Sequence, residues 1–256
     1  GGWGHINVDH IRLSDRALPG LLTNVVREFA VERRYLNLPV KQRAPKRRVR
    51  LEVGSRVVRE FEIELADAAP DFWVFLDLTP FAGRRAALGV DRLPEDSKAL
   101  DLVDQTDAFR GADGLYREPL RPQFHFSSRR GWNNDPNGLV YYRGEYHLFY
   151  QHNPYGWDWG NMHWGHAVST DLVHWCELPI ALYPVAHGDW VFSGSAVVDA
   201  RNTGGFKTGS EEVLVAAYTS TGRGECIVYS NDRGRSWTEY AGNPVVKHEG
   251  RDPRLF

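Results

Sequence analysis

Cysteine is almost missing from this chain: its 256 residues hold two, Cys176 and Cys226. Two thiols make no disulfide framework, and without a CxxC pattern they make no zinc knuckle. Both are expected to be buried free thiols. No apolar run approaches the roughly 20 residues that a membrane-spanning helix requires. Neither sign of charge dominates, because 31 basic and 33 acidic residues leave a net charge of −2. No global field therefore favours nucleic acid. The one basic run, Lys41 to Arg50 (KQRAPKRRVR), reads as a solvated loop and strand edge rather than a polyanion patch. A sustained helical period is absent throughout. The chain also lacks an initial Met and a leader, opening on Gly1-Gly2-Trp3. It is expected to be a piece of a longer precursor, with secretion left open.

What is present is aromatic and strand-forming. Nine tryptophans occur, most of them after residue 130, and Trp either fills a core or stacks on a ligand such as a sugar ring. Residues 1–30 read as the end of a preceding module or a linker. Ile6, Val8 and Ile11 hint at a strand there, and Leu18 to Phe29 suggests a linker with a short helical turn. Residues 31–118 read as a β-sandwich-like accessory module. Short runs at Arg48 to Val53, Val57 to Leu65, Phe72 to Leu78 and Ala86 to Val90 are separated by Gly, Pro and Asp turns. The alternation Phe61-Glu62-Ile63-Glu64-Leu65 is a strand with one wet face, and Gly54-Ser55 is a hairpin turn. The stretch 92–121, with five Asp between Asp96 and Asp113, reads as a linker wrapping onto the next domain. No catalytic constellation lies in this half, so a supporting or sugar-binding role is expected.

Residues 119–256 change character. Short strands such as Leu139 to Tyr142, Tyr146 to Tyr150, Ser195 to Asp199, Val213 to Tyr218 and Glu225 to Tyr229 are each closed by Gly, Asn or Asp. An echo also appears. Ser169-Thr170-Asp171, Trp175 and Pro184-Val185 recur about sixty residues later as Ser230-Asn231-Asp232, Trp237 and Pro244-Val245. A strand–strand–turn unit at such a period is what a β-propeller blade yields. The expected fold is therefore all-β, a sandwich-like module followed by about two blades of an incomplete propeller.

Two carboxylates stand out. Asp135 lies in Asp-Pro-Asn-Gly, an excellent reverse turn in its own right. Its surroundings point further: Trp132 and two Asn precede it, and Tyr150 to Pro154 and Trp157 to His166 follow. Amide and indole donors beside a carboxylate suit an uncharged, hydroxyl-rich ligand whose ring needs an aromatic plate. Asp252, in Arg251-Asp252-Pro253, has a neighbouring Arg that favours its ionised form. A metal site is not expected. His163 and His166, with His152 and His174 near, alternate across strand faces, and no carboxylate completes a ligand set. Gly222-Arg223-Gly224 lacks the third Gly of a nucleotide loop. No cofactor is implied.

In order, the chain carries Trp-Asn-Asn-Asp-Pro-Asn-Gly, Gln-His-Asn-Pro, Trp-Gly-Asn-Met-His-Trp-Gly-His-Ala, Phe-Ser-Gly-Ser and Arg-Asp-Pro. Together these closely resemble glycoside hydrolase family 32, the invertases, levanases and inulinases, over roughly residues 122–256. The resemblance implies a five-bladed propeller and a retaining hydrolase that cleaves β-fructofuranosidic bonds in fructans or sucrose. It implies Asp135 as nucleophile and Asp252 as transition-state stabiliser, oriented by Arg251. Asn134, Gln151, Trp159 and Ser193 would line the fructose pocket, with Trp164 packed behind it. The family's general acid sits in a Glu-Cys motif downstream of Arg-Asp-Pro. Glu225-Cys226 imitates that motif but precedes Arg-Asp-Pro, so Glu225 is read as a strand residue and the acid as missing from this chain. The chain alone is then expected to show little turnover. The alternative is a non-catalytic carbohydrate-binding protein. An extracellular or periplasmic location, no nucleic-acid partner and an open oligomeric state complete the expectations.

Overall fold

The computed structural model describes residues 19–247 and 249–256. The strand hint at Ile6 to Ile11 lies outside the described residues. The first half builds two facing sheets. One orders β1 (Leu21–Ala30), β6 (Arg85–Pro94), β3 (Arg47–Val53) and β4 (Arg56–Ile63), all antiparallel. The other orders β5 (Phe72–Asp77), β2 (Tyr35–Val40) and β7 (Asp104–Thr106). Alternation drives the packing. Val49, Leu51 and Val53 of β3 point inward to meet Leu36, Leu38 and Val40 of β2, while Arg48 and Arg50 stay exposed. Each such side chain contributes roughly 1.5–3 kcal/mol on burial.

Two segments differ from the sequence expectation. The stretch read as a linker up to residue 30 contains β1, paired with β6 from Leu21↔Pro94 to Ala30↔Arg85. It is an edge strand with a largely exposed side-chain pattern, so it lacks the alternation that announces a strand. Within 92–121, β7 joins the edge of β2 rather than crossing to the next domain. The physical reason is Asn37: buried in β2, it donates to Asp104 (2.8 Å) and Thr106 (2.7 Å) of β7. The basic run is largely neutralised in place. Arg47 is buried and bidentate to Asp67 (2.7 and 2.6 Å), Lys41 pairs with Asp71 and Arg48 with Glu60.

The second half forms two four-stranded meanders of the propeller-blade type. The first orders β8 (Trp132–Tyr142), β9 (Glu145–Asn153), β10 (His163–Ser169) and β11 (Cys176–Glu177). The second orders β12 (Val191–Asp199), β13 (Val213–Ser220), β14 (Gly224–Ser230) and β15 (Thr238–Glu239). The repeated Ser-x-Asp turns do the same work in both. Ser169 Oγ accepts from the Leu172 N–H (2.9 Å) and Asp171 from those of Val173 and His174. Ser230 Oγ likewise accepts from the Gly234 N–H (2.8 Å) and Asp232 from that of Ser236. Trp237 then packs edge-on against Phe149 between the blades. Cys226 is buried as expected, whereas Cys176 is exposed on the outer strand.

The two halves touch through side chains. Tyr155, in the loop after β9, stacks on Phe61 of β4 at 3.7 Å and joins the sandwich core. The Asn161 amide accepts from the Glu62 N–H (3.0 Å) and donates to the Glu62 carbonyl (2.8 Å), as another strand would. The Trp157 indole donates to Glu64 (2.6 Å). Part of the Trp-rich run thus fastens the sandwich rather than facing a ligand. Among the described residues no helix is long and apolar enough to cross a membrane.

Candidate active site

Asp135 does not occupy a reverse turn. Asp-Pro-Asn-Gly runs inside β8, which pairs with β9 on both sides of it but slips register between Asn133 and Pro136 and again between Asn137 and Val140. Two bulges in one strand re-aim its side chains. Pro136 falls at the first slip, where a missing N–H is tolerated. Gly138 takes a left-handed φ of +51° next to the second, and a Cβ there would lie 2.8 Å from the Phe149 ring and 3.3 Å from Trp164. The local sequence therefore bends because glycine permits both the angle and the close packing.

The neighbouring strand β12 reads this bend. Ser193 Oγ donates to Asp135 Oδ2 at 3.5 Å. Two residues on, Ser195 Oγ donates to the Pro253 carbonyl (2.9 Å) and accepts from the Leu255 N–H (2.7 Å). β12 itself slips register between Val191 and Gly194, and a bulge re-aims the side chains beside it, so one short polar stretch, Ser193-Gly194-Ser195, touches both acid-bearing segments. Behind Ser193 stands Asn137, which is buried. With its amide oxygen accepting from Gln151 Nε2 (3.1 Å) and the Gln151 N–H (3.2 Å), its nitrogen donates to Ser193 Oγ (3.1 Å). Sequence reasoning passed over Asn137, because within Asp-Pro-Asn-Gly it reads as an ordinary turn residue.

The remaining expected residues fall as follows. Asn134 accepts from the Trp132 indole (2.7 Å) at the surface of β8. Gln151 sits beneath β8, only 3% exposed, and donates to the Val191 carbonyl (3.0 Å). Trp159 is 46% exposed and meets Trp190 edge-on at 4.9 Å and Phe192 at 6.1 Å. These three rings make an aromatic wall that the isolated Trp159 assignment had not foreseen. Trp164 is fully buried behind it, its indole donating to the Phe192 carbonyl (3.0 Å). Arg251 Nε lies 3.4 Å from Asp252 Oδ2, the two side chains being 67% and 47% exposed. An open cleft of about 440 Å³ runs from Phe192 along Thr219 to Gly224 and on to Arg251.

Glu225 is 5% exposed on β14 and faces Thr219 Oγ1 at 2.9 and 3.1 Å. Its carboxylate is held below the cleft. The histidines are likewise engaged. His147 Nδ1 and His166 Nε2 share a hydrogen bond of 3.0 Å, His152 bonds the Trp132 carbonyl and His163 the Asn161 carbonyl. Burial lowers the pKa of all four, that of His163 to about 3. A more enclosed cavity of about 100 Å³ lies at the seam with the sandwich, away from Asp135. Arg34 with Asp77 and Arg129 with Glu177 already satisfy one another in its wall.

Residues 125–256 match the glycosyl hydrolases family 32 N-terminal domain, and residues 23–111 match a domain of unknown function, DUF4980. The levanase of Bacillus subtilis (strain 168) is 60% identical over 148 residues, 55% of this chain and 22% of the levanase. The extracellular exo-inulinase of Aspergillus awamori is 47% identical over 174 residues, 59% of this chain and 32% of that protein. The crystal structure of the exo-inulinase from that organism superposes with a TM-score of 0.51 at 41% identity, over 55% of this chain and 33% of the other. The chain thus spans about a fifth to a third of the length of these relatives.

Proposed function

Because the chain belongs to the glycosyl hydrolases of family 32, we propose that it is part of a retaining enzyme that cleaves β-fructofuranosidic bonds in fructans or sucrose. Asp135 is the nucleophile. Its carboxylate oxygen bonds to the anomeric carbon of a fructosyl unit as the glycosidic C–O bond breaks, and water later releases the sugar with configuration retained. Asp252 stabilises the oxocarbenium-like charge that develops in the transition state of each step, and Arg251 orients it. Asn134, Trp159 and Ser193 receive the fructose ring, with Gln151 supporting them from below. Glu225 is not the proton donor to the leaving oxygen, since its carboxylate is buried against Thr219. The residues 31–118 act as an accessory module, and the location is extracellular or periplasmic, as the names of the inulinase relatives suggest.

The observation that carries this reading is the convergence on β12: Ser193 on Asp135 and Ser195 on the backbone just after Asp252. A purely sugar-binding protein has no need to hold two carboxylate segments on one ruler. In the full-length protein, fructose release from sucrose, levan and inulin is compared with that of Asp135→Asn. The variant is expected to lose about a thousandfold or more in kcat. Equal release by both proteins refutes the nucleophile, and retained binding without any wild-type release favours the carbohydrate-binding alternative.

A further inference from the structure

Asp252 has an unusual backbone. Its φ is +65°, in the left-handed region that few residues other than Gly adopt, and it precedes Pro253, which restricts it further. Such a conformation persists only where the surroundings over-determine it. Those surroundings can be traced. The Asp252 N–H donates to Thr219 Oγ1 at 2.9 Å, and Thr219 is 6% exposed near the end of β13. The same hydroxyl faces both carboxylate oxygens of Glu225, its direct cross-strand partner on β14. A hydroxyl that donates to a carboxylate is polarised into a better acceptor.

Glu225 also anchors the other end of the segment. Its N–H donates to the Val246 carbonyl (2.9 Å) and its carbonyl accepts from the Val245 N–H (2.8 Å). The stretch from Val245 to Asp252 is therefore gripped by Glu225 at its start and by Thr219, backed by Glu225, at its end. The hairpin that carries the pair is itself braced: Arg223 reaches Asp189 (2.9 Å) and the Tyr218 hydroxyl (2.7 Å).

We propose that Thr219 and Glu225 are positioning residues for Asp252, setting the left-handed backbone that aims its carboxylate; this rests on the assignment of Asp252 as the transition-state stabiliser. Thr219 and Glu225 are only 6% and 5% exposed, and both act through Asp252. Thr219→Val keeps the shape of the side chain and removes both hydrogen bonds, whereas Thr219→Ser keeps them.

The test is a double-mutant cycle in the full-length protein, with kcat and KM measured on sucrose. Thr219→Val is expected to lower kcat about tenfold to a hundredfold with KM little changed, as a displacement of about 1 Å does. Thr219→Ser restores most of the rate. In an Asp252→Asn background, Thr219→Val is expected to add less than about threefold, since it acts through the carboxylate already removed. If Asp252→Asn alone leaves the rate intact, the catalytic assignment fails. If Asp252→Asn is slow while Thr219→Val matches wild type, or its loss is fully additive, the positioning role is overturned. Should Thr219→Val not fold, Glu225→Gln decides in the same cycle: a non-additive loss of several-fold in kcat supports the role, and an additive loss or none overturns it.

Discussion

The ruler strand offers the most demanding perturbation. Gly194 separates Ser193 from Ser195, and a Cβ placed on it would lie 2.0 Å from the Ala217 carbonyl oxygen and 2.9 Å from Tyr218 Cα. An ordinary C···O contact needs roughly 3.3 Å, so β12 and β13 must part by more than about 1 Å at that point. The obstacle is backbone in a paired strand, with Ser195 opposite Ala217 and Gly194 opposite Tyr218, and no rotamer change relieves it. Overpacking of this kind costs about 1–3 kcal/mol, and here the upper end applies. At about 2–4 °C per kcal/mol for a domain of this size, Gly194→Ala is expected to lower Tm by roughly 6–12 °C. Both serines move with the strand, so kcat for fructose release should fall about a hundredfold even below the transition. Gly209, with nothing within 4 Å of its Cβ position, is the control, and Gly209→Ala should leave Tm and rate unchanged. Thermal unfolding followed by circular dichroism, together with the hydrolysis rate in the full-length protein, makes the measurement. A Gly194→Ala protein with wild-type Tm and rate would show that β12 does not set the carboxylates.

Two further outcomes concern stability. His163 is buried, and burial holds its pKa down at about 3 against an ordinary 6.5, despite the opposing pull of the Asn161 carbonyl. The unfolded chain takes up a proton as pH drops through 6.5 and the folded chain does not until about 3, so this contribution is intact above 6.5. Below it, stability declines by about 1.4 kcal/mol per pH unit, and His147, His152 and His166 are pushed by burial in the same direction. Urea unfolding at about pH 7.5, 6.5 and 5.5 should show that decline above the range where carboxylates titrate; a flat profile refutes the burial argument. The Tyr155 hydroxyl has no hydrogen-bond partner among the described residues. Tyr155→Phe should keep the stacking on Phe61 and gain about 1 kcal/mol by removing an unmet polar group, and a lower urea midpoint would contradict that.

Much of the architecture is written locally. Alternation along Arg47 to Val53 is a wet-faced strand wherever it lies, and Ser169-Thr170-Asp171 and Ser230-Asn231-Asp232 form the same turn because the bonds that make it are within five residues. The blade echo and the ordered motifs were therefore legible, and with them the family. The edge strand Leu21–Ala30 was not, because an exposed strand is defined by its partner β6 and not by its own pattern.

The site divides in the same way. Sequence alone determined which carboxylates to consider: Asp135, because aromatic and amide-rich residues are adjacent to it in the chain, and Asp252, because Arg251 and Pro253 flank it in the Arg-Asp-Pro motif. Only the tertiary structure decided how they are held. Asp135 lies in a doubly bulged strand, although Asp-Pro-Asn-Gly by itself favours a turn, because pairing with β9 extends through it. Asp252 keeps its left-handed backbone through Thr219, 33 residues away. Ser193 and Ser195 serve two distant segments because β12 slips register between Val191 and Gly194, and a bulge aims the residues beside it differently from regular pleating. Turn chemistry and alternation are short-range; register, bulges and cross-strand partners depend on which strands meet, and that is settled only when the sheets pack.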